Sequence, residues 1–223
     1  MIKLKDLLLE SRRYEQEVLT QSRFIINQFK ISLSTEENLE ITEEGSIPSK
    51  YRLDLEQDEL VDTDGFIYYD LEVSIEVDEE GDLLGLPYDI NGEADEKTLV
   101  INIRYEPDEF PKAMNDLIAA VKDTLRHELE HIAQYNLIGK ETFEYHGGDD
   151  DDLPFYKYLM LRHETPAFVR GLYKTAKTKR ISFDQAMDNF FEEYIDEFNS
   201  KKEIKLVRDL WTKYAKENIP NYK

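Results

Sequence analysis

Apolar residues recur at three- and four-residue intervals from about Lys5 to Lys30, where Leu8, Tyr14, Val18, Ile25 and Phe29 stand among polar neighbours. That period predicts one amphipathic helix. The pattern then loosens. Residues 31–64 are mixed and acidic, with short strands expected near Ile31–Leu33 and Tyr51–Leu55 and a loop at Ser46-Ile47-Pro48-Ser49. From Phe66 to Val77 apolar and polar positions alternate in a run rich in aromatic and β-branched residues, which predicts a strand. Asp78-Glu79-Glu80-Gly81-Asp82 is turn chemistry, and residues 86–93, with Pro87 and Asn91-Gly92, read as a connection. Thr98–Tyr105 is a second strand. A helix follows from about Pro111 to Asn136, striped by Leu117, Val121, Leu125, Leu129 and Ile132.

The rest of the chain is expected to be helical. Pro166 marks a helix start, because proline is tolerated in a first turn, and the helix runs on to about Lys179. Ser182-Phe183-Asp184-Gln185 is a capping box for a helix reaching about Asn199, and Lys202 to about Glu217 is the last helix. Strands in the first half and helices in the second predict an α+β fold, a small, mostly antiparallel sheet packed on the helix of residues 111–136, within a single domain over 1–223.

Composition narrows the function classes. The 223 residues are 40% hydrophobic with 14 Tyr and 11 Phe, enough for a real core. A net charge of −21 argues against a nucleic-acid binder and against an anionic membrane surface, since both need a basic footprint. With no cysteine, a metal would have to be held by histidines and carboxylates. The N-terminal apolar run is too short for a secretory signal, and no stretch approaches transmembrane length, so a cytoplasmic protein is expected.

Inside the 111–136 helix lies His127-Glu128-Leu129-Glu130-His131. Histidines four apart share one helix face, one turn apart, where two imidazoles can hold one tetrahedral Zn²⁺. Glu128 then stands beside the metal as an unligated carboxylate able to take a proton from the attacking water. The expected reaction is peptide hydrolysis, with one zinc per chain and a peptide or protein as substrate. A catalytic zinc takes a third protein ligand from elsewhere in the chain. Glu164 follows His131 by 33 residues (164 − 131), room for a loop and a return onto the first helix. All four histidines, the others being His146 and His163, fall between residues 127 and 163.

His127-Glu128-x-x-His131 followed by Glu164-x-x-Ala167 resembles the gluzincin branch of the zincin metallopeptidases. The run from Tyr158-Leu159 through His163-Glu164-Thr165-Pro166-Ala167-Phe168-Val169-Arg170-Gly171 also resembles small metallopeptidase-like proteins of tailed bacteriophages. The likeness covers about residues 98–178. It implies a zincin-like fold, Glu164 as third ligand ahead of the rival His163, and, for a phage-encoded chain, a place in host cytoplasm or virion. Several gluzincins carry an aspartate four residues after the ligand glutamate, supporting a zinc-bound histidine; here that position is Phe168. His146 is weighed as an oxyanion donor against an exposed loop residue, and Arg170 as a carboxylate-orienting group against an ion pair. The Asp149–Asp152 run reads as a solvated loop, and Asp62-Thr63-Asp64-Gly65 as a turn rather than an EF-hand, since Leu60 and Leu71 occupy its end-ligand positions. Two other functions compete with hydrolysis: a phage structural or assembly component whose metal staples the fold, and a metal-free interaction module using the aromatic helices.

Overall fold

A computed structural model describes residues 4–48, 66–78, 83, 85–95, 97–138 and 153–219. The strand expected at Tyr51–Leu55, the turn at 62–65, most of the turn at 78–82, and the loop carrying His146 and Asp149–Asp152 lie outside the described residues.

The fold is α+β, with a mixed four-stranded sheet and six helices. Helix α1 spans Leu4–Thr35 and runs through Ile31–Leu33, where a strand was expected. Its apolar stripe simply continues past Phe29 to Leu33 on the core, while Ser32, fully buried, meets the Tyr105 hydroxyl at 3.0 Å. The helix stops at Thr35 because Glu36 turns left-handed (φ 56°) and its N–H returns to the Ser32 carbonyl at 2.7 Å.

Strand β1 (Leu39–Pro48) pairs antiparallel with β2 (Phe66–Val77), from Leu39↔Ile75 to Pro48↔Phe66. The loop expected at 46–49 is therefore strand as far as Pro48, and proline is tolerated there because it closes an edge strand. Strand β3 (Tyr88–Ala94) corrects the connection expected at 86–93, and β4 (Thr98–Tyr105) lies between β2 and β3. The chain leaves β2, crosses to the far edge as β3, and returns as β4, antiparallel to β3 and parallel to β2. Two of the three pairings are antiparallel; the central one is not. On one face the alternation buries Leu71, Val73 and Ile75 of β2 and Leu99, Ile101 and Ile103 of β4.

Helix α2 (Met114–Ile138) lays its stripe of Leu117, Val121, Leu125 and Leu129 in this core beside α1. A second core gathers α3 (Phe155–Tyr158), α4 (Glu164–Lys179), α5 (Phe183–Glu193) and α6 (Lys201–Asn218) around Trp211, whose Nε1 donates to the Leu159 carbonyl at 3.1 Å. The cap at Ser182 forms as its sequence predicts, its Oγ accepting from Gln185 N at 3.1 Å. Helix α5 ends at Glu193, earlier than the expected Asn199, because a 3₁₀ turn at Ile195–Glu197 lets extended Phe198 fold back among Phe155 and Phe191. The two cores meet where α2 packs along α4. Among the described residues, no helix is long and apolar enough to cross a membrane.

Candidate metal centre

Along α2 the buried stripe faces the sheet, while Asp123, His127 and Glu130 turn toward α4. His127 and His131 are thereby stacked one turn apart, their Nε2 atoms 3.0 Å from each other and their rings 4.8 Å apart, edge to face. Glu164 is the first residue of α4, where its negative charge sits at the positive end of the helix dipole. Pro166 falls in the same opening turn, so the helix loses no internal bond to it.

Glu164 Oε2 lies 3.4 Å from His127 Nε2 and 3.5 Å from His131 Nε2. These three atoms form a triangle with edges of 3.0, 3.4 and 3.5 Å. Four ligands at Zn–N and Zn–O bonds of about 2.0–2.1 Å stand about 3.3–3.4 Å apart at tetrahedral angles. The triangle has that size. Glu164 Oε2 is buried and has no hydrogen-bond partner, a costly state for a carboxylate oxygen unless a cation faces it. Both observations fit a zinc ion bound by His127, His131 and Glu164, and this is the metal-capable group found among the described residues.

The electrostatics run the same way. Burial by itself would raise the Glu164 carboxyl, but the two imidazoles outweigh it and hold the group well below the usual carboxylate range. Glu128 goes the other way. Burial pushes it up, the two histidines oppose that, and the carboxylates of Glu164 and Glu93 add to the rise. Its Oε1 stands 4.0 Å from His127 Nε2, beside the triangle but not part of it.

Beside the triangle lies a cleft of about 720 Å³ between β3, α2, α4 and α5. His127 and Glu128 line this cleft, whereas His131 and Glu164 do not. Phe168 forms a wall of it, with its ring edge-to-face with His127 at 4.5 Å and stacked on Trp211 at 5.4 Å. Thus the position where the resembling peptidases place an aspartate holds His127 by packing instead.

Of the remaining candidates, His163 lies at the start of α4 with its Nε2 3.5 Å from Glu164 Oε1, on the carboxylate's other oxygen. Its ring is 6.2 Å from that of His131, and its side chain is 35% exposed. Arg170 makes the ion pair, Nε to Glu130 Oε2 at 3.3 Å. Sequence reasoning missed Gly92. A Cβ there would come within 2.6 Å of Thr124 Cγ2 and 2.9 Å of Glu128 Oε1, so only glycine lets β3 lie this close to the cleft carboxylate. Its signal is an Asn-Gly pair, which in the sequence reads as part of a connection. Compared with protein-family models, with curated proteins and with solved structures, the chain matches none.

Proposed function

We propose that this chain is a zinc-dependent peptide hydrolase of the zincin type. The single observation that carries the reading is the triangle of His127, His131 and Glu164 at 3.0–3.5 Å, with Glu128 beside it at the end of a cleft. When bound there, zinc supplies Lewis-acid chemistry, polarising a carbonyl and making water a better nucleophile near neutral pH.

The chain's own residues supply the rest. Glu128 accepts a proton from water as the water oxygen bonds to the scissile carbonyl carbon. It then delivers that proton to the nitrogen as the C–N bond breaks, so acid and amine leave together. A base for this work gains from a raised pKa, and burial raises that of Glu128. Strand β3 is the terminal strand of the described sheet and lines the same cleft, so an extended peptide adding to its edge would pass Glu128.

The test is metal content and turnover together. Wild type should hold one zinc per chain and cleave members of a peptide library; Glu128→Gln should keep the zinc and lose about 10²–10⁴-fold in turnover. Zinc-loaded wild type that cleaves nothing would remove the hydrolase and leave a structural site. The position of His163 favours that second reading, because it alone among the described histidines stands ready to close a fourth position. In that case His163→Ala should lower zinc affinity sharply, whereas an open, catalytic site tolerates the change with a modest loss.

A further inference from the structure

We propose that the buried carboxylate of Glu130, gripped by Arg126 and Arg170, is the clamp that registers α4 against α2 and so sets how tightly the chain holds zinc. The inference rests on the metal reading above, and makes Glu130 and Arg170 positioning residues.

Glu130 lies between the two candidate histidine ligands on α2, 5% exposed. Its Oε2 accepts a hydrogen bond from Arg126 Nη2 at 3.0 Å, one turn earlier on the same helix, and forms an ion pair with Arg170 of α4, whose Nε lies 3.3 Å away. Arg126, 6% exposed, is itself held over the Tyr14 ring of α1 at 5.2 Å, so Glu130 is oriented before α4 is considered. Arg170 faces Glu130 on one side and Tyr214 of α6 on another, and despite burial these neighbours keep its guanidinium charged. Such a pair does little for stability compared with an apolar substitute, since desolvation offsets most of its attraction. What it supplies is position: once the two charges are buried against each other, drawing the helices apart would strip each of its partner.

That positioning acts on the metal triangle. Two of its corners belong to α2 and the third to α4, six residues (170 − 164) or about 9 Å of helix from Arg170. Metal–ligand distances tolerate only about ±0.2 Å. Phe168 against the His127 ring and Gly171 against Asp123 are contacts that permit sliding of that size, and the other ion pair between the two helices, Lys179 with Asp116, lies at the far end of α4 and is solvent-exposed. The Glu130–Arg170 pair resists it.

Helix α4 carries a natural control. Lys174, more deeply buried than Arg170, pairs with Glu15 of α1 rather than with α2. Zinc affinity would be measured by competition with a chromophoric chelator at pH 7, alongside the melting temperature of each metal-free variant. Arg170→Met should weaken zinc binding about 10–100-fold, the range for groups that orient metal ligands, and Arg170→Lys should fall between it and wild type. Lys174→Met should stay within about twofold of wild type at a similar or larger loss of melting temperature. Because Arg170→Met removes one member of a buried charge triad and could destabilise the fold, the triple variant Arg126→Met/Glu130→Met/Arg170→Met removes all three charges and should fold, yet bind zinc as weakly as Arg170→Met.

Wild-type affinity in Arg170→Met or in the triple variant, or an equal loss in Lys174→Met, would overturn the clamp while leaving the hydrolase reading intact. A wild type that binds no zinc would overturn both.

Discussion

Gly92 of β3 faces Glu128 of α2 so closely that a methyl group on its Cα would lie 2.8 Å from Glu128 Cγ. The glycine therefore sets how near the cleft's edge strand approaches the carboxylate, and nothing larger fits without movement of the strand or the helix. Gly92→Ala should cost about 1–3 kcal/mol of stability, the usual range for overpacking. It should also lower turnover more than tenfold while zinc stays at one per chain, because the displaced group is Glu128 and not a ligand. Thermal melts, metal analysis and peptide cleavage on one preparation check all three.

Zinc should raise the melting temperature, and a chelator should reverse the rise. Glu164 Oε2 is buried without a hydrogen-bond partner and the two imidazoles converge on it, a ligand set assembled only in the folded chain, so an ion bound there stabilises the fold. At free zinc near 100 times Kd the gain is about 2.7 kcal/mol, or about 5–10 °C for a chain of this size. His131→Ala should abolish the shift; a shift that persists would place the ion elsewhere.

Asp123, one turn before His127 on α2, makes stability pH-dependent in the metal-free protein. Burial pushes its pKa up to about 6, against an ordinary 3.8, with Thr175 and His127 opposing part of the rise. A raised carboxyl binds its proton more tightly folded than unfolded. Its favourable contribution is thus complete below about pH 4 and is lost as pH rises through about 6. Asp123→Asn should therefore be more stable than wild type above pH 6, by on the order of 1–3 kcal/mol, with the difference shrinking to nothing near pH 4. Denaturant titrations with chelator present at pH 4, 5, 6 and 7 give the slope directly.

Trp211 holds the second core, stacked between Phe168 and Phe191 with its Nε1 on the Leu159 carbonyl. Trp211→Ala should cost about 3–5 kcal/mol. Trp211→Phe keeps a ring but leaves that carbonyl without its donor, for about 1–3 kcal/mol. Because Phe168 rests on Trp211 and holds the His127 ring, Trp211→Ala should also weaken zinc binding, while Trp211→Phe should change it little. Equal zinc affinity in both would show that this aromatic relay does not reach the site.

Much of this molecule is legible from local pattern. The helices α1, α2, α4 and α6 follow from the spacing of apolar residues, and the start of α5 from the cap at Ser182, because these signals act within a few residues of chain. The pairing of His127 with His131 belongs to the same class: once α2 is a helix, residues four apart share a face. Where local signals compete with distant contacts they mislead. Ile31–Leu33 alternates apolar and polar as a strand would but remains helical, with Ser32 meeting Tyr105, 73 residues away. Asn91-Gly92 has the composition of a turn, yet β4 supplies its backbone partners and α2 requires the glycine.

By itself, then, the sequence determined the α+β class, the long helix bearing His127, Glu128 and His131, and the absence of any thiol chemistry, since each depends on composition or on neighbours along the chain. Only the tertiary structure decided the parallel join of β2 to β4, the arrival of Glu164 at 3.4–3.5 Å from both imidazoles, the packing of Phe168 against the His127 ring, and the pairing of Arg170 with Glu130. These are contacts between residues far apart in sequence. Their geometry is set by how whole helices and strands pack, and no short window of residues encodes that.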